Sequence, residues 1–120
     1  MSKRTLVIGA SENPARYSNK AILALRRNEH EVVALAKRKG LVDDVAIETD
    51  FPGNDDIHTV TLYVGPQHQP EYYEDIIGMK PQRVIFNPGT ENPEFAEKLE
   101  ANGIQAEEAC TLVLLSIGNY

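Results

Sequence analysis

Short apolar runs that end at a turn recur along this 120-residue chain and limit what it can fold into. The first run, Thr5–Ile8, is rich in branched residues and is followed by Gly9. Strands covered on both faces lose the alternation of apolar and polar residues, so this run predicts a buried parallel strand. Helical spacing of apolar residues follows at about 18–28, and a second strand is predicted at 31–36. Strand, helix and strand in about 30 residues form one βαβ unit.

The rest of the chain continues this alternation. Further strands are predicted where apolar runs recur, at 57–64, at Arg83–Phe86 and at 104–106. Further helices are predicted at about 70–79, at 93–102 with Asn92 as N-cap, and at 110–117. The stretch 37–56 stays unassigned, apart from a short extended piece at 45–47. The pattern predicts an α/β fold, a three-layer α/β/α doubly wound sheet of Rossmann type with about five parallel strands. Residues 1–120 are expected to form one domain.

Composition and charge narrow the function classes. The chain carries 12 Lys and Arg against 18 Asp and Glu, a net charge of −6, which argues against a general binder of nucleic acid or anionic membranes. The apolar runs are too short for a membrane-spanning helix or a signal peptide, so we expect a cytoplasmic protein. The single cysteine, Cys110, excludes an internal disulfide and a zinc cluster and fits a reducing compartment.

The turns that follow the predicted strands point to a ligand site. In doubly wound sheets the ligand lies at the carboxyl ends of the strands, where the strand order reverses. Four turns fall at those ends and are expected to converge on one crevice: 9–14, 37–38, 65–66 and 87–89.

The first turn differs from the fingerprint of dinucleotide-binding folds. That fingerprint has three glycines, whereas Ser11 and Pro14 stand here at the second and third positions after Gly9. Glycine lets a backbone approach a phosphate, and the helix start that follows offers N–H groups to an anion. The turn therefore indicates a phosphate held differently from that of NAD, although a purely structural turn stays open.

The end of the second strand separates the ligand classes better. NAD-binding folds place an acidic residue there to bind the ribose, whereas this chain has Lys37, Arg38 and Lys39. Such cations favour a phosphate on the ribose, which NADP carries on the 2′ oxygen and coenzyme A on the 3′ oxygen. A solvated charge run is the alternative.

The segment Thr5-Leu-Val-Ile-Gly-Ala-Ser-Glu-Asn-Pro-Ala-Arg-Tyr-Ser18 resembles the start of the CoA-binding domain family. That family has a Rossmann-type fold similar to the CoA-binding domain of the succinyl-CoA synthetase alpha subunit. Phe86-Asn-Pro-Gly89 and Glu108-Ala-Cys110 match its later elements, so the resemblance covers essentially the whole chain. The chain departs from the family after the second strand, where Ala36-Lys37-Arg38 replaces Asn-Pro-Lys.

The resemblance implies a bound coenzyme A or acyl-CoA. It places the pyrophosphate on the first turn and helix start, the 3′-phosphate on the basic run, and the adenine or pantetheine path along the later strand ends. The implied cofactor-binding residues are Gly9, Ala10, Ser11, Asn13, Pro14, Arg16, Tyr17, Ser18, Lys37, Arg38, Tyr63, Gly65, Asn87, Pro88 and Gly89.

No set of catalytic residues or metal ligands is evident in the sequence, so we expect a stand-alone binding protein rather than an enzyme. His68 is read as a loop histidine, and Cys110 as a small packing residue rather than a partner for the CoA thiol. Two other functions stay open: an NADP-binding oxidoreductase or regulatory module, and a ligand-free Rossmann-type interaction module. A homodimer or another protein partner is also left open.

Overall fold

The computed structural model of the chain describes residues 2–53 and 56–120. Within these residues one sheet of seven strands forms, mostly from the branched and apolar runs of the sequence. The strands are β1 Thr5–Ile8, β2 Val32–Leu35, β3 Gly40–Val42, β4 Val45–Glu48, β5 Thr59–Leu62, β6 Arg83–Phe86 and β7 Gln105–Glu108.

Four α-helices connect and cover these strands: α1 Tyr17–Arg27, α2 Tyr73–Met79, α3 Pro93–Ala101 and α4 Thr111–Ser116. Local sequence explains their ends. Arg26 and Arg27 lie in the last turn of α1, where positive charge suits the helix dipole. Asn92 caps α3, since its side chain accepts the N–H of Phe95 at 3.1 Å.

The strand order is β3-β4-β2-β1-β5-β6-β7, with β1 near the middle of the sheet. All neighbouring pairs are parallel except β3 and β4, which form an antiparallel hairpin. The six parallel strands therefore follow the Rossmann order, and the chain reverses its direction across the sheet between β1 and β5. The sheet thus has its switch point at these two strands.

Each face of the sheet has its own apolar core. Leu6 and Ile8 of β1 pack with residues of α2 and α3, including Ile76 and Phe95. Val7, between them, points to the opposite face and packs with residues of α1 and α4. Successive residues of a strand point to opposite faces, so a fully apolar strand fills both cores. The result is the predicted three-layer arrangement.

The fold class predicted from sequence is confirmed, and several boundaries are corrected. Arg83–Phe86 is a strand as predicted. The unassigned stretch 37–56, of which 54 and 55 lie outside the described residues, contains the hairpin of β3 and β4. The helix predicted at 70–79 is shorter and begins at Tyr73, because its first residues form the 3-10 turn Pro70–Tyr72, which follows another 3-10 turn at Pro66–His68. In the described residues no helix is long and apolar enough to cross a membrane.

Candidate ligand-binding cleft

A cleft of about 680 Å³ opens at the carboxyl ends of β1 and β5, at the switch point of the sheet. This volume lies within the range of small-molecule sites. The turns after β1, β2, β5 and β6 all contribute to it, so the predicted convergence is found. The predicted site residues that line the cleft are Gly9, Ala10, Ser11, Arg16, Tyr17, Ser18, Lys37, Tyr63, Gly65, Pro88 and Gly89.

Four predicted site residues do not line this cleft: Asn13, Pro14, Arg38 and Asn87. Asn13 shapes the first turn, since its side-chain oxygen accepts the N–H of Ala15 at 3.0 Å. Arg38 is exposed and does not line the cleft, so of these two neighbouring cations only Lys37 does.

Asn87 is only 1% exposed, and its side chain makes buried hydrogen bonds instead of lining the cleft. Its amide nitrogen donates to Thr61 Oγ1 at 2.6 Å and to the carbonyl of Leu62 at 2.8 Å. Its oxygen accepts the N–H of Thr111 at 2.9 Å. The side chain therefore ties β6 to β5 and to the start of α4, and leaves the neighbouring Pro88 to face the cleft.

Gly9 brings the β1 turn against the end of β5. Its φ of +92° is outside the range that side chains usually permit, and its N–H donates to the carbonyl of Leu35 at 2.9 Å. A Cβ at this position would lie 3.0 Å from the backbone carbon and oxygen of Tyr63 and from Val64 Cγ1. The glycine is thus required where the two switch-point loops touch.

The first turn of α1 faces the cleft and presents to it the backbone N–H groups at the positive end of the helix dipole. The first N–H groups of an α-helix have no acceptor within the helix. In this part of the described chain no side chain caps them, and no acidic residue lies in the first turn. Ser11 Oγ accepts the N–H of Asn13 at 3.0 Å, so its hydroxyl proton is free to donate to a ligand. Arg16, the exposed N-cap residue, adds a full positive charge.

Lys37 and Glu71 form an ion pair across one end of the cleft. Lys37 follows β2, whereas Glu71 lies in the second 3-10 turn after β5. The Lys37 ammonium also lies 5.6 Å from the centre of the Tyr72 ring. The hydrogen bond from Lys37 lowers the pKa of Glu71, and the same bond raises the pKa of Lys37, so both groups stay charged at neutral pH.

A buried amide holds two of the cleft loops together. Gln69 is fully buried, and its nitrogen donates to the carbonyl of Val64 at 3.0 Å and to that of Thr90 at 2.7 Å. Its oxygen accepts from the Asn92 side chain at 2.9 Å, which links it to the cap of α3. Val64 and Thr90 both line the cleft. Gln69 therefore fixes the spacing of the β5 and β6 loops without touching the cleft itself.

Sequence reasoning missed several cleft residues: Ala15, Ala36, His68, Glu71, Tyr72 and Thr90. Their position is the signal that could have identified them, because all follow the carboxyl end of a strand within ten residues. His68, expected to be a loop histidine, is exposed and lines the cleft. Tyr72 forms part of the cleft wall.

The structure also shows the surroundings of two side chains that could take part in a reaction, Tyr63 and Cys110. Burial raises the pKa of Tyr63 to about 12, so its phenol stays neutral and cannot serve as a base at physiological pH. Cys110 is half-buried at the start of α4 and, in the described part of the chain, does not line the cleft.

Comparison with known proteins decides the family. A family model described as CoA binding domain matches residues 3–116, nearly the whole chain. The chain belongs to the CoA-binding domain family. This agrees with the resemblance noted from the turn after β1.

Solved structures resemble this CoA-binding domain over most of their length. One, an uncharacterized protein, is 42% identical with a TM-score of 0.96, and the match covers 100% of this chain and 99% of that one. A hypothetical protein from Pyrococcus horikoshii is 26% identical, with a TM-score of 0.81 over 93% of this chain and 80% of the other. A Thermus thermophilus protein, 16% identical with a TM-score of 0.88 over 99% and 91%, shares the fold. A search of curated proteins found no match.

Proposed function

We propose that this domain binds coenzyme A or an acyl-CoA in the cleft at the carboxyl ends of β1 and β5. Membership of the CoA-binding domain family supports the ligand class. The observation that carries the proposal is the uncapped start of α1 in that cleft, with Ser11 and Arg16 beside it. An anionic ligand completes such a helix terminus, because its N–H groups and dipole both favour negative charge.

The pyrophosphate is assigned to the start of α1. Its oxygens can accept the N–H groups of Tyr17 and Ser18 and the hydroxyl of Ser11, while Arg16 supplies a charge-assisted hydrogen bond. No carboxylate in the described residues lies in this first helical turn to oppose the anion. These groups come from one loop and one helix, so the anion site is formed before any ligand arrives.

The two ends of the ligand are assigned to opposite sides of the pyrophosphate. Lys37, at the end of β2, is the residue proposed to meet the ribose 3′-phosphate. Tyr63, Val64 and Gly65 form the wall beside the switch point, and Pro88 with Gly89 border the path proposed for pantetheine. Apolar and backbone surface of this kind suits an adenine ring and an uncharged arm.

We further propose that the domain alone recognises the cofactor and does not transform it, so that it senses, carries or stores CoA. The groups that border the cleft support binding rather than proton transfer. Tyr63 stays protonated, since burial raises its pKa to about 12. The Glu71 carboxylate is engaged by Lys37, which lowers its pKa and moves it further from the near-neutral value that suits a general base.

The test is calorimetric titration of the purified chain with CoA, acetyl-CoA, NADP and NAD. We expect binding of CoA or acetyl-CoA and weaker or undetectable binding of both dinucleotides. Replacement of Arg16 or Lys37 by alanine should weaken CoA binding by more than about tenfold, since each removes a charge-assisted contact. Lys39→Ala is the matched control, because Lys39 is exposed and does not line the cleft.

Two outcomes would overturn the proposal in different directions. Binding of NADP without binding of CoA would favour an NADP-dependent oxidoreductase or regulatory module, which the basic end of β2 permits. No response to any of the four nucleotides would favour a ligand-free interaction module.

A further inference from the structure

The ion pair between Lys37 and Glu71 occupies the position that the proposed function gives to a ribose phosphate. Both side chains line the cleft, and they come from residues 34 positions apart in the sequence. The Lys37 side chain is 76% exposed and that of Glu71 is 48% exposed, so a ligand can reach both. The Tyr72 ring lies under the Lys37 ammonium and limits the directions from which an anion can approach it.

Of the three adjacent cations Lys37, Arg38 and Lys39, only Lys37 lines the cleft. Arg38 and Lys39 are exposed and lie outside the cleft. Arg16 borders the cleft from the start of α1, and His68 lies close enough to Glu71 to lower its pKa. At this end of the cleft the fixed charges among the described lining residues are thus one ammonium and one carboxylate.

We propose that Glu71 determines the phosphate preference of this site, because its carboxylate competes with a terminal phosphate ester for the Lys37 ammonium. A phosphate monoester carries about −1.5 to −2 charges at neutral pH, so it must displace Glu71 and then remain beside it. A free ribose hydroxyl meets no such repulsion and can donate a hydrogen bond to the carboxylate. The cleft therefore accepts CoA and its dephospho form, which lacks the 3′-phosphate, with similar affinity.

This inference rests on the proposed binding of CoA, and it differs from what the basic run alone predicts. Three adjacent cations predict a strong preference for the phosphorylated ligand. The structure leaves one of them in the cleft and pairs it with a carboxylate. A preference for CoA over dephospho-CoA should therefore appear only when the Glu71 carboxylate loses its charge.

The experiment is calorimetric titration of the full chain with CoA and with dephospho-CoA. The wild-type chain should bind the two within about threefold of each other, as expected when an exposed ion pair offsets the phosphate contact. Glu71→Gln keeps the size of the side chain and one acceptor oxygen but removes the charge, so it should tighten CoA binding by about three- to tenfold, with little change for dephospho-CoA. Its melting temperature should stay close to that of the wild type, because Glu71 is exposed.

Two further variants separate a local effect from one of net charge. Glu74→Gln makes the same charge change in the first turn of α2, at an exposed residue that does not line the cleft, and should leave both affinities unchanged. Adding Lys37→Gln to Glu71→Gln should remove the gain for CoA, because the phosphate then has no ammonium to meet.

A wild-type preference for CoA above about tenfold would overturn the inference alone, since a local carboxylate then fails to offset the phosphate. So would an unchanged affinity ratio in Glu71→Gln, or an equal gain in Glu74→Gln. Failure of the wild-type chain to bind either ligand would instead refute the proposed function, and the inference with it.

Discussion

Replacement of Gly9 by alanine tests whether the contact between the two switch-point loops is as close as the structure has it. An alanine Cβ would lie 3.0 Å from the carbonyl carbon and oxygen of Tyr63 and from Val64 Cγ1. The φ of +92° is strained for alanine wherever it occurs. The substitution therefore combines a backbone penalty with a steric one, and the two can be separated.

Gly89→Ala is the matched control. Gly89 has a φ of +93°, but a Cβ there would meet nothing within 4 Å. Backbone strain of this kind costs about 1–3 kcal/mol, and both variants carry it. Overpacking against a rigid neighbour adds about 1–3 kcal/mol, and only Gly9→Ala carries that penalty. Any stabilising effect of alanine through the unfolded chain is shared and cancels in the difference.

The assay is urea denaturation of both variants beside the wild type, followed by circular dichroism. Gly9→Ala should lose more free energy of unfolding than Gly89→Ala, by about 1–3 kcal/mol, at similar m-values. Equal losses would mean that the β1 turn does not contact the end of β5 as closely as described. A smaller loss for Gly9→Ala would refute the reasoning outright.

Three other predictions concern the stability of the fold. Gln69→Met should destabilise the chain by about 2–4 kcal/mol in urea denaturation, because two carbonyls and one amide lose their buried partner. Gly78→Ala, in α2 with open space around it, should stabilise it by about 0.5–1 kcal/mol in the same assay. Thermal melts should show stability falling as pH drops from 7.5 to 5.5, since burial and Lys3 lower the pKa of His30 in the folded chain and the unfolded chain then binds more protons. The slope should flatten in His30→Asn, which cannot titrate but can still accept the Lys3 N–H that His30 Nδ1 accepts at 2.9 Å.

The strands and helices flanked by strong turn signals were predictable from sequence. The strand Arg83–Phe86 consists of Arg83 and three apolar residues closed by Asn87-Pro88-Gly89, and its bounds match the prediction. Asn92 and Pro93 mark the start of α3 in the same way, as N-cap and first helical residue. At these places local propensity and the final packing favour the same structure.

The hairpin of β3 and β4 shows what local sequence could not decide. Gly40–Val42 has three residues, and Leu41 is 60% exposed, so no apolar run marks it as a strand. It pairs only with β4, and the N–H of Leu41 donates to the carboxylate of Glu12 at 2.9 Å. Its conformation depends on a residue 29 positions away, which no local pattern reveals.

The same distinction holds for the cleft. The rule that ligands lie at strand carboxyl ends placed the turns after β1, β2, β5 and β6 together, and these turns do line one cleft. Which of Lys37 and Arg38 enters it depends on the path of the chain after β2. Glu71 and Tyr72 lie in the 3-10 turn Pro70–Tyr72, at the place where the sequence predicts the start of a longer helix.

The most direct test of the central claim is a titration of the isotope-labelled chain with CoA, followed by backbone amide shifts in proton–nitrogen correlation spectra. Saturable shifts are predicted for the amides around the cleft, notably those of Ser11, Ser18 and Thr90. The amides of His58 and Gln82, at the amino ends of the strands, should stay unchanged. Shifts confined to that opposite end, or a spectrum unaltered at millimolar CoA, would contradict the account.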